Sequence, residues 1–223
     1  MTLHDEEEKL FRRWRSTLPP ELEARFVTDG AVDPESFQAS PRKVLLALKE
    51  VNDERGGGWC LRKFLAEGGR RQTWNNVTRW LLGIRALPKV LPWREMSEIS
   101  PEQRKQQLCS IAVINLKKTP GANVADPGAV HAAAERDGPF LREQFALYAA
   151  DLVLLGGSEV TSFYRAQVSA STDWRSTARG VEYQEFAPGR FAIAFTHPEV
   201  RCPPNLPYFA LVDACREIIL GFS

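Results

Sequence analysis

Four short apolar runs punctuate the chain: KVLLAL at 43–48, SIAVINL at 110–116, DLVLLGG at 151–157 and FAIAFT at 191–196. Each is nearly continuous in apolar residues and closed by polar or turn residues. Strands covered on both faces of a parallel sheet read this way. Between them lie helical patterns. Trp74, Val77, Leu81 and Ile84 share one helical stripe with Trp80 beside it, and Leu141, Phe145 and Tyr148 form another behind Pro139. SPEQ at 100–103 has the form of a capping box with Pro101 just inside it, and a last helix is expected from near Pro207 to Gly221. Strand and helix alternate four times over. That order predicts an α/β fold, a three-layer αβα sandwich around a four-stranded, mostly parallel sheet. Residues 158–190, rich in Ser, Thr, Arg and Gly, predict a loop or an extra hairpin, and residues 1–39 an N-terminal helical extension packed on the core through Leu10, Phe11, Trp14 and Leu18.

Composition narrows the class. With 223 residues, 43% of them hydrophobic, the chain can bury one sizeable core. Its first ten residues, MTLHDEEEKL, have neither a basic nor an apolar leader region, and no run approaches the ~18 apolar residues of a membrane span. The expectation is a cytoplasmic protein with no membrane partner. Cys60, Cys109, Cys202 and Cys215 are scattered, so no disulfide framework, metal site or iron–sulfur cluster is predicted, and no cofactor. RGGGW at 55–59 lacks the spacing of a phosphate-binding loop and reads as a flexible loop. A net charge of +1 does not announce a nucleic-acid binder, but cations recur in clusters: Arg12, Arg13 and Arg15; Arg62, Lys63, Arg70 and Arg71; Lys117 and Lys118; Arg175, Arg179, Arg190 and Arg201.

In open α/β sheets ligands bind outside the carboxyl ends of the strands. After the first strand come Lys49, Glu50, Asn52 and Asp53; after the second, Asn115, Lys117, Lys118 and Thr119; after the fourth, Thr196, His197, Glu199 and Arg201. A planar side-chain amide offers an acceptor and two donors that match the edge of a pyrimidine. A carboxylate can orient water, and a histidine can hydrogen-bond a departing base as charge develops on it. Rim cations can hold phosphates. Taken together, these groups suit hydrolysis of an N-glycosidic bond in a nucleic acid.

Four segments resemble the uracil-DNA glycosylase superfamily in order and position: LLALKEVND resembles its water-activating motif, IAVINLKKTPG the strand ending in the base-reading asparagine, DLVLLGG the third core strand, and AFTHPEVR the strand with the His-Pro motif. TWNNVTRWLLGI is similar to the helix after the first motif. The resemblance covers roughly residues 40–223, which it makes a uracil-DNA-glycosylase-like domain. It implies a flipped base in a pocket, His197 and Glu50 as catalytic residues with Asp53 as the competing carboxylate, Asn115 as the base reader, and Phe64 or Trp59 stacked on the base. Lys49, Lys117, Lys118, Thr119 and Arg201 would contact DNA, with Arg201 or Val200 filling the gap left by the flipped nucleotide.

The departures from the family pattern bear on substrate. Lys49 replaces a common glycine, Asn52 a common proline, and Asp53 stands where the stricter uracil enzymes carry a tyrosine that blocks the pyrimidine 5-position. A less obstructed pocket makes a 5-modified pyrimidine, such as a modified cytosine of phage DNA in antiviral defence, a candidate beside uracil in base-excision repair. Three alternatives stand: a lysine nucleophile that cleaves the strand, a non-catalytic nucleic-acid-binding module on the same fold, and a small-molecule hydrolase.

Overall fold

The four apolar runs form four adjacent parallel strands. In the computed structural model, which describes residues 1–53, 56–121 and 126–221, the chain begins with helices α1 (Leu3–Arg15) and α2 (Pro20–Glu23), strand β1 (Gly30–Ala31), helix α3 (Pro34–Ala39) and strand β2 (Val44–Leu48). Helices α4 (Leu61–Ala66), α5 (Arg71–Ala86), α6 (Trp93–Met96) and α7 (Pro101–Cys109) lead to strand β3 (Ile111–Asn115). Helices α8 (Pro127–Arg136) and α9 (Gly138–Leu147) precede strand β4 (Leu152–Gly156). After helix α10 (Ser158–Phe163) and a π-helical turn (Tyr164–Val168) come β5 (Arg175–Ser176), β6 (Glu182–Ala187), β7 (Arg190–Phe195) and the last helix, α11 (Asn205–Leu220). Of the RGGGW segment, Arg55 lies outside the described residues.

The sheet has seven strands in the order β1-β3-β2-β4-β7-β6-β5, not the four expected. β3, β2, β4 and β7 are parallel neighbours, whereas β1, β6 and β5 pair antiparallel at the two flanks. The additional strands leave no apolar run in the sequence. β1 and β5 are two residues each, and β6, EYQEFA, is mostly exposed or half-buried. Because β5 and β6 pair antiparallel across the turn at 177–181, the irregular segment at 158–190 contains the extra hairpin that was one of its two expected forms.

Each parallel strand alternates between two cores. Leu45, Ala47, Ala112, Ile114, Val153, Leu155 and Ala192 pack with α1, α8, α9 and α10. Val44, Leu46, Leu48, Ile111, Val113, Leu152, Leu154, Phe191 and Ile193 pack with α4, α5, α7 and α11. Helices therefore cover both faces, and the period of two assigns every strand residue to one of them. The helix signals read from sequence also hold: Ser100 and Gln103 form a reciprocal capping box at α7, and Gly221, in the left-handed region, ends α11.

The N-terminal segment is more than a docked helix. Phe11 and Trp14 of α1 are buried in the first core, where replacing Trp14 by alanine is expected to cost about 3–5 kcal/mol. Beyond α1 the chain supplies β1, which covers the edge of β3 with the register Gly30 to Val113. Among the described residues, no helix is long and apolar enough to cross a membrane.

Candidate functional site

The parallel register brings the carboxyl ends of four strands level. Leu48 pairs with Asn115, and Gly156 pairs with Phe195. Continuing the two-residue alternation beyond each strand places Glu50, Asn115, Lys117 and His197 on the α4–α5 face and Lys49, Leu116 and Lys118 on the other. Main-chain bonds still tie the two segments beyond the strand ends, with Leu116 N–H donating to Leu48 O and Lys117 N–H to Lys49 O, both at 2.9 Å; two successive donors to one neighbour mark a bulge in place of a regular ladder.

On the α4–α5 face lies a cavity of about 270 Å³. Its floor and one wall are Leu48, Glu50, Val51, Asn52, Asp53 and Asn115; His197 and Glu199 enter from the end of β7; Trp59, Leu61, Phe64, Arg70, Thr73 and Trp74 close it from α4, α5 and their connections. All six residues predicted for catalysis and base recognition line this one cavity. Phe64 is the most exposed of its aromatics at 39%, and its ring meets Trp59 edge-on at 5.9 Å.

Two acceptors in this cavity are unusual. Glu50 Oε1 and Asn115 Oδ1 are both buried and have no hydrogen-bond partner among the described residues. A buried acceptor without a donor costs roughly 1–3 kcal/mol, so a pair of them aimed at one cavity marks a place where a ligand's donors fit. The other oxygen of Glu50 accepts from Lys117 Nζ, an ion pair that compensates the buried charge. The Pro-Gly turn closes over this pair. Gly121 N–H donates to Val51 O and Asp53 N–H to Gly121 O, and a Cβ built on Gly121 would collide with the Glu50 carboxylate, so only glycine allows so close an approach.

Asp53 is engaged differently. Its Oδ2 accepts from Trp59 Nε1 at 2.8 Å, which fixes the indole against the cavity wall. Of the two carboxylates, Glu50 is the one with a buried open lone pair. His197 accepts the Glu199 main-chain N–H on Nδ1 at 3.1 Å, which puts its own proton on Nε2. Burial lowers the His197 pKa, with neighbouring Glu199 opposing. At neutral pH the ring is thus an uncharged Nε2–H donor. Glu199 is itself tied to Thr73 of α5 and Asn76 Nδ2 donates to Pro198 O at 2.7 Å, anchoring the loop that carries His197 to the helix across the cavity.

The predicted DNA-contacting residues fare otherwise. None of Lys49, Lys117, Lys118, Thr119 and Arg201 lines the cavity. Lys49 faces Glu159 at 3.6 Å on the opposite side, Thr119 is buried, and Arg201 is exposed. Lys118 corrects its expectation outright: it is 2% exposed, with Nζ 2.7 Å from both Asp29 oxygens and 2.8 Å from Gln144 Oε1. Being one residue out of phase with Asn115, it points into the first core, where burial pulls its pKa down and Asp29 opposes the shift. Arg70, exposed just before α5, lines the cavity, while Lys63 of α4 and Arg71 at the start of α5 are exposed nearby in sequence; all three stood in a basic cluster but were not singled out.

Asp29 was missed altogether. It sits just before β1, is fully buried, and its Oδ2 accepts the Asn115 main-chain N–H at 2.7 Å and lies 3.4 Å from Asn115 Nδ2. Its local sequence, VTDGAV, reads as a turn; the contact spans 86 positions, and no spacing within one segment reveals it. No protein-family model matches the chain, and no curated protein matches it.

Proposed function

We propose that this protein is a DNA glycosylase on a uracil-DNA-glycosylase-like fold, which draws a flipped pyrimidine into the cavity and hydrolyses its N-glycosidic bond. The observation that carries this reading is the convergence of Glu50, Asn115 and His197 on one cavity, two of them with unpartnered acceptors and the third an uncharged donor. They follow the carboxyl ends of β2, β3 and β7 in the order in which the motif resemblance has them.

Each group then has a task. Glu50 Oε1 orients a water for attack on the anomeric carbon and takes its proton as the C–N bond breaks. The electron pair of that bond leaves with the base, whose developing charge is met by His197 Nε2–H. Asn115 reads the edge of the base, and Phe64 with Trp59 packs against its face. Lys63, Arg70 and Arg71 hold flanking phosphates. Lys117 positions Glu50. Water is favoured over lysine as nucleophile, because Lys49, Lys117 and Lys118 are each in an ion pair and none lines the cavity.

The preferred base is a pyrimidine with room at its 5-position. Asp53 occupies the place of a blocking tyrosine and is turned onto Trp59, and Asp53, Arg70 and Glu199 give the cavity lining polar groups for a substituent. Modified cytosines of phage DNA are such bases, and their removal would serve antiviral defence; plain uracil in repair is the companion candidate. The test is release of free base from DNA carrying uracil, cytosine, 5-hydroxymethylcytosine or its glucosylated form. Release of one base, abolished in Asn115→Ala and His197→Ala, is the expected result. DNA binding with no base released from any substrate would overturn it in favour of a non-catalytic recognition module.

A further inference from the structure

The carboxamide of Asn115 has two orientations that differ in which end faces the cavity, and its surroundings distinguish them. Asp29 is acceptor-only, and its lone pairs are filled: Oδ1 takes Lys118 Nζ at 2.7 Å and Gln144 Nε2 at 2.8 Å, while Oδ2 takes Lys118 Nζ and the Asn115 main-chain N–H, each at 2.7 Å. Only a donor is tolerated beside Oδ2. The Asn115 Nδ2 side meets that demand at 3.4 Å; turning the amide over would set its oxygen against the carboxylate. Oδ1 is the end left buried without a partner on the cavity side.

Asp29 is rigidly held for this task. Gln144 Oε1 also accepts from Lys118, and Gln144 Nε2 reaches Tyr148 Oη at 3.2 Å, so the clamp is anchored in α9 and just beyond it, on the sheet face opposite the cavity. Asp29, Lys118, Gln144 and Tyr148 are all essentially excluded from solvent.

We propose that Asp29 is a positioning residue that fixes the hand of the Asn115 carboxamide, oxygen toward the cavity, and thereby sets the order of donor and acceptor that a flipped pyrimidine must present. Uracil offers a ring N–H beside a carbonyl oxygen; cytosine offers a ring acceptor beside an amino group. A free amide can serve either by rotating, whereas a clamped one reads one order. This inference rests on reading the cavity as a base pocket.

Two measurements on the full chain test it. The first requires no DNA: the Asn115 side-chain amide, assigned by its loss in Asn115→Ala, is followed by NMR in the wild type and in Asp29→Asn combined with Lys118→Met, which removes both buried charges together. Protection of the wild-type amide protons from solvent exchange, reduced about tenfold or more in the double variant, is expected. Equal exchange in the two proteins overturns the proposal. The second compares excision of uracil with cytosine, and of their 5-substituted forms. The wild-type ratio should collapse by about tenfold or more in the double variant. An unchanged ratio, with both rates falling together, makes Asp29 structural only and overturns it. If the wild type releases no base, the glycosylase reading fails, and the exchange measurement still decides whether Asp29 holds the amide.

Discussion

Two carboxylate–lysine pairs lie within a few residues of each other and serve opposite ends. Glu50–Lys117 sits on the cavity side of the sheet, half-sheltered, with one carboxylate oxygen left open. Asp29–Lys118 sits on the other side, sealed in the core, with its carboxylate oxygens occupied. The lysines are sequence neighbours, and one step of strand phase separates a pair available to a substrate from a pair that supports the residue beside it. The lesson is that a buried ion pair is read by its free valences. A saturated pair is architecture, and a pair with an open acceptor points to chemistry.

The comparison can be broken hardest at the sealed pair. Lys118→Met leaves Asp29 buried without its cation and should lower stability by about 3–5 kcal/mol, measured by urea denaturation; adding Asp29→Asn should recover part of that loss. Glu50→Gln should act the other way round, reducing base release by about 10²- to 10⁴-fold while shifting stability by less than about 2 kcal/mol. If both variants lost stability equally, the distinction between the pairs would fall.

A third experiment extends the comparison along the buried network. Glu7, which lies under Gly30 and accepts from the Ala31 N–H and from Arg62, is pushed up to about 7 by burial, against the pull of Arg62. Its pKa is thus higher folded than unfolded. The stability it contributes is full below its ordinary value near 4.5 and is lost as pH rises through about 7. The loss amounts to about 3 kcal/mol across that window, and Glu7→Gln should flatten it. The smallest effect is expected at the mouth. Arg70→Ala should weaken DNA binding on every sequence and reduce the salt slope of log K by about 0.9, leaving both ion pairs intact.

The residues that line the cavity were legible in the sequence and their supports were not, for a physical reason. Strands buried on both faces announce themselves as apolar runs, and their carboxyl ends carry Glu50, Asn115 and His197 within two residues, so position along the chain nearly equals position in space. The same alternation, carried three residues past Asn115, would have sent Lys118 to the far face. Asp29 and β1 had no such marker. A two-residue edge strand has no measurable period, and the value of Asp29 lies in partners 86 and 115 positions away. Resemblance to the glycosylase motifs pointed to Glu50, Asn115 and His197, whereas Asp29, which touches Asn115, came only with the packing.

Side-chain contacts keep alternating from Asn115 to Lys118 although β3 ends at Asn115, and this makes the segment up to Gly121 intolerant of a change in length. One inserted residue ahead of Lys117 would exchange the sides of the two lysines, part Glu50 and Asp29 from their present cations, and slide the Pro-Gly turn off the carboxylate it covers. Surface loops usually drift by insertion and deletion as lineages diverge. This one should vary by substitution alone, and a set of descendants of this chain would align across it without a gap.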